Sequence, residues 1–110
     1  MINRSLIIVR AKAPFLNWLK SLPDPINLTL DQLNQDNKAY LVQEIESDKQ
    51  REKILEHYFP LIVEEQLSGW WTDEGDWPEI EDLKVFREWF DVEIHSVVID
   101  LLDEKIVDAE

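Results

Sequence analysis

The sequence has no cysteine and only two glycines. Without cysteine there is no disulfide, no thiol nucleophile, no Cys-ligated zinc and no iron–sulfur cluster, which suits a reducing compartment. Gly69 and Gly75 form neither a GxGxxG dinucleotide fingerprint nor a P-loop. No serine stands in a nucleophile-elbow context. Long apolar runs are also missing from the start of the chain. Leu6-Ile7-Ile8-Val9 is flanked by Arg4, Arg10 and Lys12. That run is too short for the core of a signal peptide, and a membrane span needs about 20 residues. A cytoplasmic protein with no membrane contact is the expectation.

Bases are scarce. Eleven Lys and Arg face 24 Asp and Glu, for a net charge of −13. The first acid is Asp24, and before it stand Arg4, Arg10, Lys12 and Lys20. The −13 total less this +4 leaves −17 on residues 24–110. Such a field repels nucleic acid and anionic membrane and favours a basic partner.

What is present is enough for one domain. With 110 residues, 45% of them hydrophobic, the chain can bury roughly two-thirds of its unfolded surface. A single globular domain over 1–110 is expected, with 101–110 a loose or short helical acidic tail.

Residues 5–11 read as a strand, β-branched and apolar on both faces, as for a strand covered on both sides or central in its sheet. Pro14 suits the first turn of a helix. Phe15, Trp18, Leu19 and Leu22 then fall on one helical face, with Trp18 as a core anchor, until Pro23 and Pro25 end the helix. Thr29 to Gln32 has the form of a capping box before a helix of one or two turns. Strand character resumes over 38–45. Ser47 to Gln50 is a second capping box, opening a helix whose stripe is Ile54, Leu55, Tyr58, Phe59 and Ile62. Pro60 lies inside it and removes one hydrogen bond, at about 3 kcal/mol. The stripe continues to Ile62, so a kinked continuation is expected rather than a split, with Gly69 closing the helix in the left-handed conformation. Asp76 and Glu79 bracket Trp77-Pro78 as a third helix start, for a helix over 78–89 with acids in its first turn. Residues 92–99 read as the last strand. The fold class expected is α+β: a small three-stranded sheet packed with helices, in the order β-α-(short α)-β-α-α-β.

The segment from Gly69 to Pro78 concentrates the unusual residues. It holds both glycines and Trp70, Trp71 and Trp77, three of the five tryptophans. It also begins an acidic run, Asp73, Glu74, Asp76, Glu79, Glu81 and Asp82, broken first at Lys84. Aromatics ringed by acids suit a basic or proline-rich ligand through stacking and cation–π contact. The competing reading is that at least two of the rings fill the space between helices and sheet. The candidate binding residues are therefore Trp70, Trp71, Asp73, Glu74, Asp76 and Trp77. Asp73, Glu74, Gly75 and Asp76 resemble an EF-hand loop only loosely, because Trp77-Pro78 interrupts its middle. No metal site and no cofactor is expected there.

The sharpest chemical pair is Glu93 with His95. Two apart on a strand, they share a face, about 7 Å apart at the backbone. They suit a carboxylate that orients a histidine general base, or two ligands of a metal. The competing reading is an ordinary ion pair at a sheet edge, and His57 reads as a packing or surface residue.

Arg10-Ala11-Lys12 before Pro14-Phe15, Gly69-Trp70-Trp71-Thr72-Asp73, Trp77-Pro78, Trp89-Phe90-Asp91 and His95-Ser96 together resemble a group of small acidic bacterial proteins of uncharacterised function. The likeness spans most of the chain. It implies a bacterial cytosolic protein folding as one domain, and nothing about mechanism.

Three functions compete. A non-enzymatic acidic module that binds a basic protein leads, because no catalytic constellation is evident. A metal-assisted or histidine-based enzyme using Glu93 and His95 comes second. A structural subunit of a larger assembly is the third.

Overall fold

The most apolar strand takes the middle of the sheet. In the computed structural model, which describes residues 1–109, β1 (Arg4–Ala11) lies between β2 (Ala39–Gln43) and β3 (Phe90–His95), antiparallel to both. The helices are α1 (Ala13–Ser21), α2 (Leu30–Leu33), α3 (Asp48–Ser68) and α4 (Leu83–Trp89), with a 3₁₀ turn at Glu74–Asp76. This is the α+β architecture and element order that the sequence implies.

The apolar faces of β1 are not equivalent. Ser5, Ile7 and Val9 are buried, whereas Leu6 and Ile8 are half-buried between the exposed Arg4 and Arg10. Ile7, Val9, Val42 and Phe90 join Phe15, Trp18 and Leu19 of α1, Ile54, Leu55, Phe59 and Ile62 of α3, and Phe86 of α4 in one core. All the helical packing is on that face. On the other, Ala39, Leu41, Gln43, Asp91, Glu93 and His95 are exposed. The doubly apolar pattern thus marks a central strand, not one covered on both sides.

Local signals place most helix ends. Thr29 and Gln32 form the full reciprocal capping box. At α3, Ser47 Oγ accepts from Gln50 N–H at 3.1 Å, but the Gln50 side chain accepts from Glu46, one residue earlier than a capping box requires. Pro60, exposed, sits within an unbroken α3, because Ile54, Leu55 and Phe59 before it and Ile62 and Leu67 after it bury on the same core. Asn34 closes the end of β1 that β2 does not reach. Its side chain accepts from Ala11 N–H and donates to Ala11 C=O, at 2.8 and 2.9 Å.

Other expectations fail. Gly69 is right-handed (φ −65°, ψ −22°) rather than left-handed. A side chain there would meet first the far end of Lys38, at 3.2 Å. The fourth helix starts at Leu83 rather than at residue 78, because Asp82, not Asp76, caps it by accepting from Val85 N–H at 2.9 Å. Phe90, one residue past the expected end of that helix, is the buried first residue of β3, which follows α4 with no loop. The last strand runs over 90–95, not 92–99. Continued register from Leu6↔His95 would set Ile2 opposite Ile99, but Ile2 N–H bonds Val98 C=O, one residue out of step. Beyond it, residues 101–109 are exposed and form no helix or strand. Glu110, the last residue of the expected tail, lies outside the described residues.

Among the described residues Ser5 is the one buried polar side chain. Its hydroxyl accepts from Ile45 N–H at 2.9 Å and donates to Ser96 C=O at 3.4 Å, joining the exits of both outer strands. Ser5→Ala leaves the Ile45 N–H without its acceptor. A loss of about 1–3 kcal/mol is expected, measured by chemical denaturation. A loss near zero would mean that water replaces the hydroxyl.

Candidate functional site

The tryptophan segment begins where α3 ends. Trp70 and Trp71 both donate their backbone N–H groups to Leu67 C=O, which turns the chain away from the helix axis. Asp73 then caps the 3₁₀ turn, its Oδ1 accepting from Gly75 N–H at 3.0 Å. Three indoles lock this turn. Trp18 of α1 donates to Asp76 C=O at 2.9 Å, Trp71 donates to Asp76 Oδ2 at 3.0 Å, and Trp77 donates to Trp71 C=O at 2.7 Å. Trp71 and Trp77 are half-buried against the core. Trp70 is 37% exposed and sits outermost, over a hollow formed with Phe15, Asn34 and Lys38. The segment is therefore a rigid knob with Trp70 on its rim, and each of the other two rings has both a packing and a hydrogen-bonding role.

The carboxylates divide in the same way. Asp73 caps the turn, Asp76 receives the Trp71 indole, and Asp82 caps α4. Glu79 and Glu81 crowd each other. A hydrogen bond with Glu79, the Glu79 charge and then Asp82 raise the Glu81 carboxyl above its ordinary value. Among the described residues none of the six acids is in an ion pair. All six are exposed. This is an exposed like-charge patch with no internal counter-charge. Its oxygens do not converge: Asp73 and Asp76 are turned to different N–H groups. Among the described residues no three His, Asp or Glu side chains stand where they could hold one metal ion.

The second candidate lies elsewhere, on the open face of β3. His95 Nε2 and Glu93 Oε2 are 3.0 Å apart, each side chain about half exposed. The His95 hydrogen bond, with smaller help from the charges of His95 and Arg10, holds the Glu93 carboxyl below its usual range. Neither the tryptophan turn nor His57, which is exposed and packs edge-on against Tyr58, contributes to that pair. Sequence spacing missed Trp18 as part of the turn, since it lies on α1, far upstream. Nothing in its surroundings distinguishes it there from any core tryptophan.

Among the described residues no helix is long and apolar enough to cross a membrane. Compared with protein-family models, with curated proteins and with solved structures, the chain matches none.

Two measurements follow from this geometry. Trp77→Phe keeps an aromatic ring but removes the pyrrole half of the indole, with its packing volume and its N–H to Trp71 C=O. It should cost about 1–3 kcal/mol, while Trp70→Phe, whose indole makes no hydrogen bond among the described residues, should cost clearly less. Denaturant midpoints of the two variants decide between a locked turn and a loose one. The second is the melting temperature at low salt as pH falls from 7. Glu81 titrates above the ordinary carboxylate value, so its protonation comes first and relieves repulsion. Glu93, and Glu52 held low by its hydrogen bonds to Arg87, lose their favourable charged state only below that value. The melting temperature should therefore rise before it falls. Glu81→Gln should flatten the rise, and a steady fall from pH 7 would show that paired carboxylates dominate throughout.

Proposed function

We propose that this protein is a small, non-enzymatic, cytoplasmic module whose acidic surface binds a basic protein rather than nucleic acid or membrane. One observation carries the reading: six exposed carboxylates on and beside a rigid turn, with no internal base to neutralise them. Holding like charges together costs free energy in the isolated protein, and a cationic partner recovers it. Rigidity adds to this. A turn locked by three indole hydrogen bonds loses little freedom on association, and Trp70 on its rim offers a ring for a guanidinium or an aliphatic stem.

The Glu93–His95 pair supports a second reading, a histidine-based or metal-assisted enzyme. The pair is formed, and that is its support. It lies on an open sheet face, with no third ligating group beside it among the described residues. Water exclusion and convergence of groups, on which acid–base catalysis depends, are features of clefts.

The test is association kinetics with a basic protein recovered by affinity capture. Raising salt to about 0.15 M, where the Debye length is about 8 Å, should slow association far more than it speeds dissociation. The Asp73→Asn, Glu74→Gln double variant should do the same at low salt. Asparagine keeps an oxygen for the Gly75 N–H, so the turn survives. An on-rate indifferent to both changes would leave the acidic turn as a solvated surface and remove the basis of the reading.

A further inference from the structure

The face of the sheet turned away from the helices carries an apolar patch that no element covers. Leu6 stands opposite Leu41 and Ile8 opposite Ala39 in register. Leu41 is 47% exposed and Ala39 is open to solvent, although both lie within a regular strand. Glu93 and Asp91 border the patch along β3, and both have partners, His95 at 3.0 Å and the Lys12 ammonium at 4.0 Å. The base at the near end, Arg4, has none. Its side chain donates to the carbonyl of its neighbour Asn3 and is in no ion pair among the described residues.

The segment that follows β3 has the matching shortage. Of the eleven large apolar side chains that stand exposed among the described residues, six lie between 97 and 107, so this surface is concentrated in one short segment. Val97, Ile99, Leu101, Leu102, Ile106 and Val107 are 58% to 94% exposed. Between them stand Asp100, Asp103 and Glu104, also in no ion pair among the described residues. The segment is pinned at its start, where Ile2 N–H donates to Val98 C=O at 2.8 Å. It is turned at Asp100, whose Oδ1 accepts from Leu102 N–H at 2.9 Å. Its far end is not remote from the patch, because Asp108 lines the same groove as Ala39 and Leu41.

We infer that residues 99–107 close as a strap over the open face of their own sheet, with Ile106 and its neighbours on Leu6, Ile8 and Leu41, and Asp100, Asp103 and Glu104 passing Arg4. Reach permits it. Ile8 is six residues along β1 from Ile2, about 20 Å, and Ile106 is eight residues past Val98, about 26 Å when extended. Exposed apolar patches on a monomer mark places where something docks. The burial gained is opposed by the entropy of ordering the segment, and the contact with Arg4 tips that small balance. Tethering favours this occupant over a second copy. A short linker holds the strap near the face at a high effective concentration, whereas a second copy brings another −13 and its repulsion. Closed, the strap covers the patch, and any partner for that face has to displace it. The inference is independent of the basic-partner reading.

The chain has no cysteine, so an introduced pair reports on this contact without interference. In the Ile8→Cys, Ile106→Cys variant a disulfide forms only when the two Cβ atoms come within about 4.5 Å. The control is Leu61→Cys, Ile106→Cys, with its partner cysteine on α3 beside the groove. The expected result is an intramolecular disulfide that forms at least about threefold faster than in the control, and that Arg4→Glu or added salt slows at least about twofold, as for an exposed charge contact. Methyl NOEs from Ile106 to Leu6 or Ile8 in the unsubstituted chain at low salt are the second readout, and decide the matter if Ile8→Cys fails to fold. Faster closure onto Leu61 would seat the tail in the groove and overturn the inference. Equal rates, or no such NOE, would mean a loose tail and overturn it too. Disulfides between molecules that outrun those within, at a rate rising with protein concentration, would make a second copy the occupant and overturn it. An Arg4→Glu variant that closes as fast as before would overturn the charge contact.

Discussion

Everything in this fold depends on β1 being hydrogen-bonded along both edges. An isolated hairpin is marginal in water, and a third strand with one covered face is the least that gives independent stability. β1 supplies that arrangement by pairing with β2 and β3 at once. Its two ends need separate closures because the neighbours are shorter than it is. At one end the buried Ser5 hydroxyl spans from Ile45 to Ser96. At the other, the Asn34 amide imitates a strand partner for Ala11. Lys12 continues that end, with its backbone N–H on Trp89 C=O and its ammonium on Arg87 C=O, where the last turn of α4 presents its carbonyls.

The same economy appears in the tryptophan turn. A short loop with few apolar neighbours cannot rest on burial alone. It instead uses each indole twice, as a packing surface and as a hydrogen-bond donor. Trp18 is decisive because it belongs to a different element: its bond to Asp76 C=O attaches the loop to α1. Of the six carboxylates that make the region acidic, Asp73 and Asp82 accept from backbone N–H groups and Asp76 from an indole. The charge visible from outside is therefore a by-product of capping at Asp73 and Asp82, and an unrelieved crowding at Glu79 and Glu81.

Periodicity made the core legible. Phe15, Trp18, Leu19 and Leu22, and Ile54, Leu55, Phe59 and Ile62, all bury as their helical spacing requires. Capping chemistry was equally readable at Thr29 and Ser47, because it acts within a few residues. Errors arose where two local signals competed. Asp76 and Asp82 both resemble caps, and only tertiary contact decides between them: Asp76 is claimed by Trp71 and Trp18, leaving Asp82 for the helix. Gly69 looked left-handed because glycine usually is at a helix end, but Trp70 and Trp71 turn the chain without it. For the candidate sites, spacing brought Glu93 and His95 together correctly.

The sheet joins the most distant parts of the chain. Leu6 pairs with His95, and Ser5 reaches Ser96. During synthesis β1 leaves the ribosome before either partner, and β3 well after β2. Helices and the β1–β2 pair can form as they emerge, but the doubly bonded strand cannot be completed until β3 is out. Such long-range pairing is the slow kind, paid for in chain entropy before any contact returns it. Until then the apolar run Leu6 to Val9 is an open strand edge carried on a growing chain. The positive charge around it, at Arg4, Arg10 and Lys12, keeps that edge from pairing with its own kind on a neighbouring nascent chain.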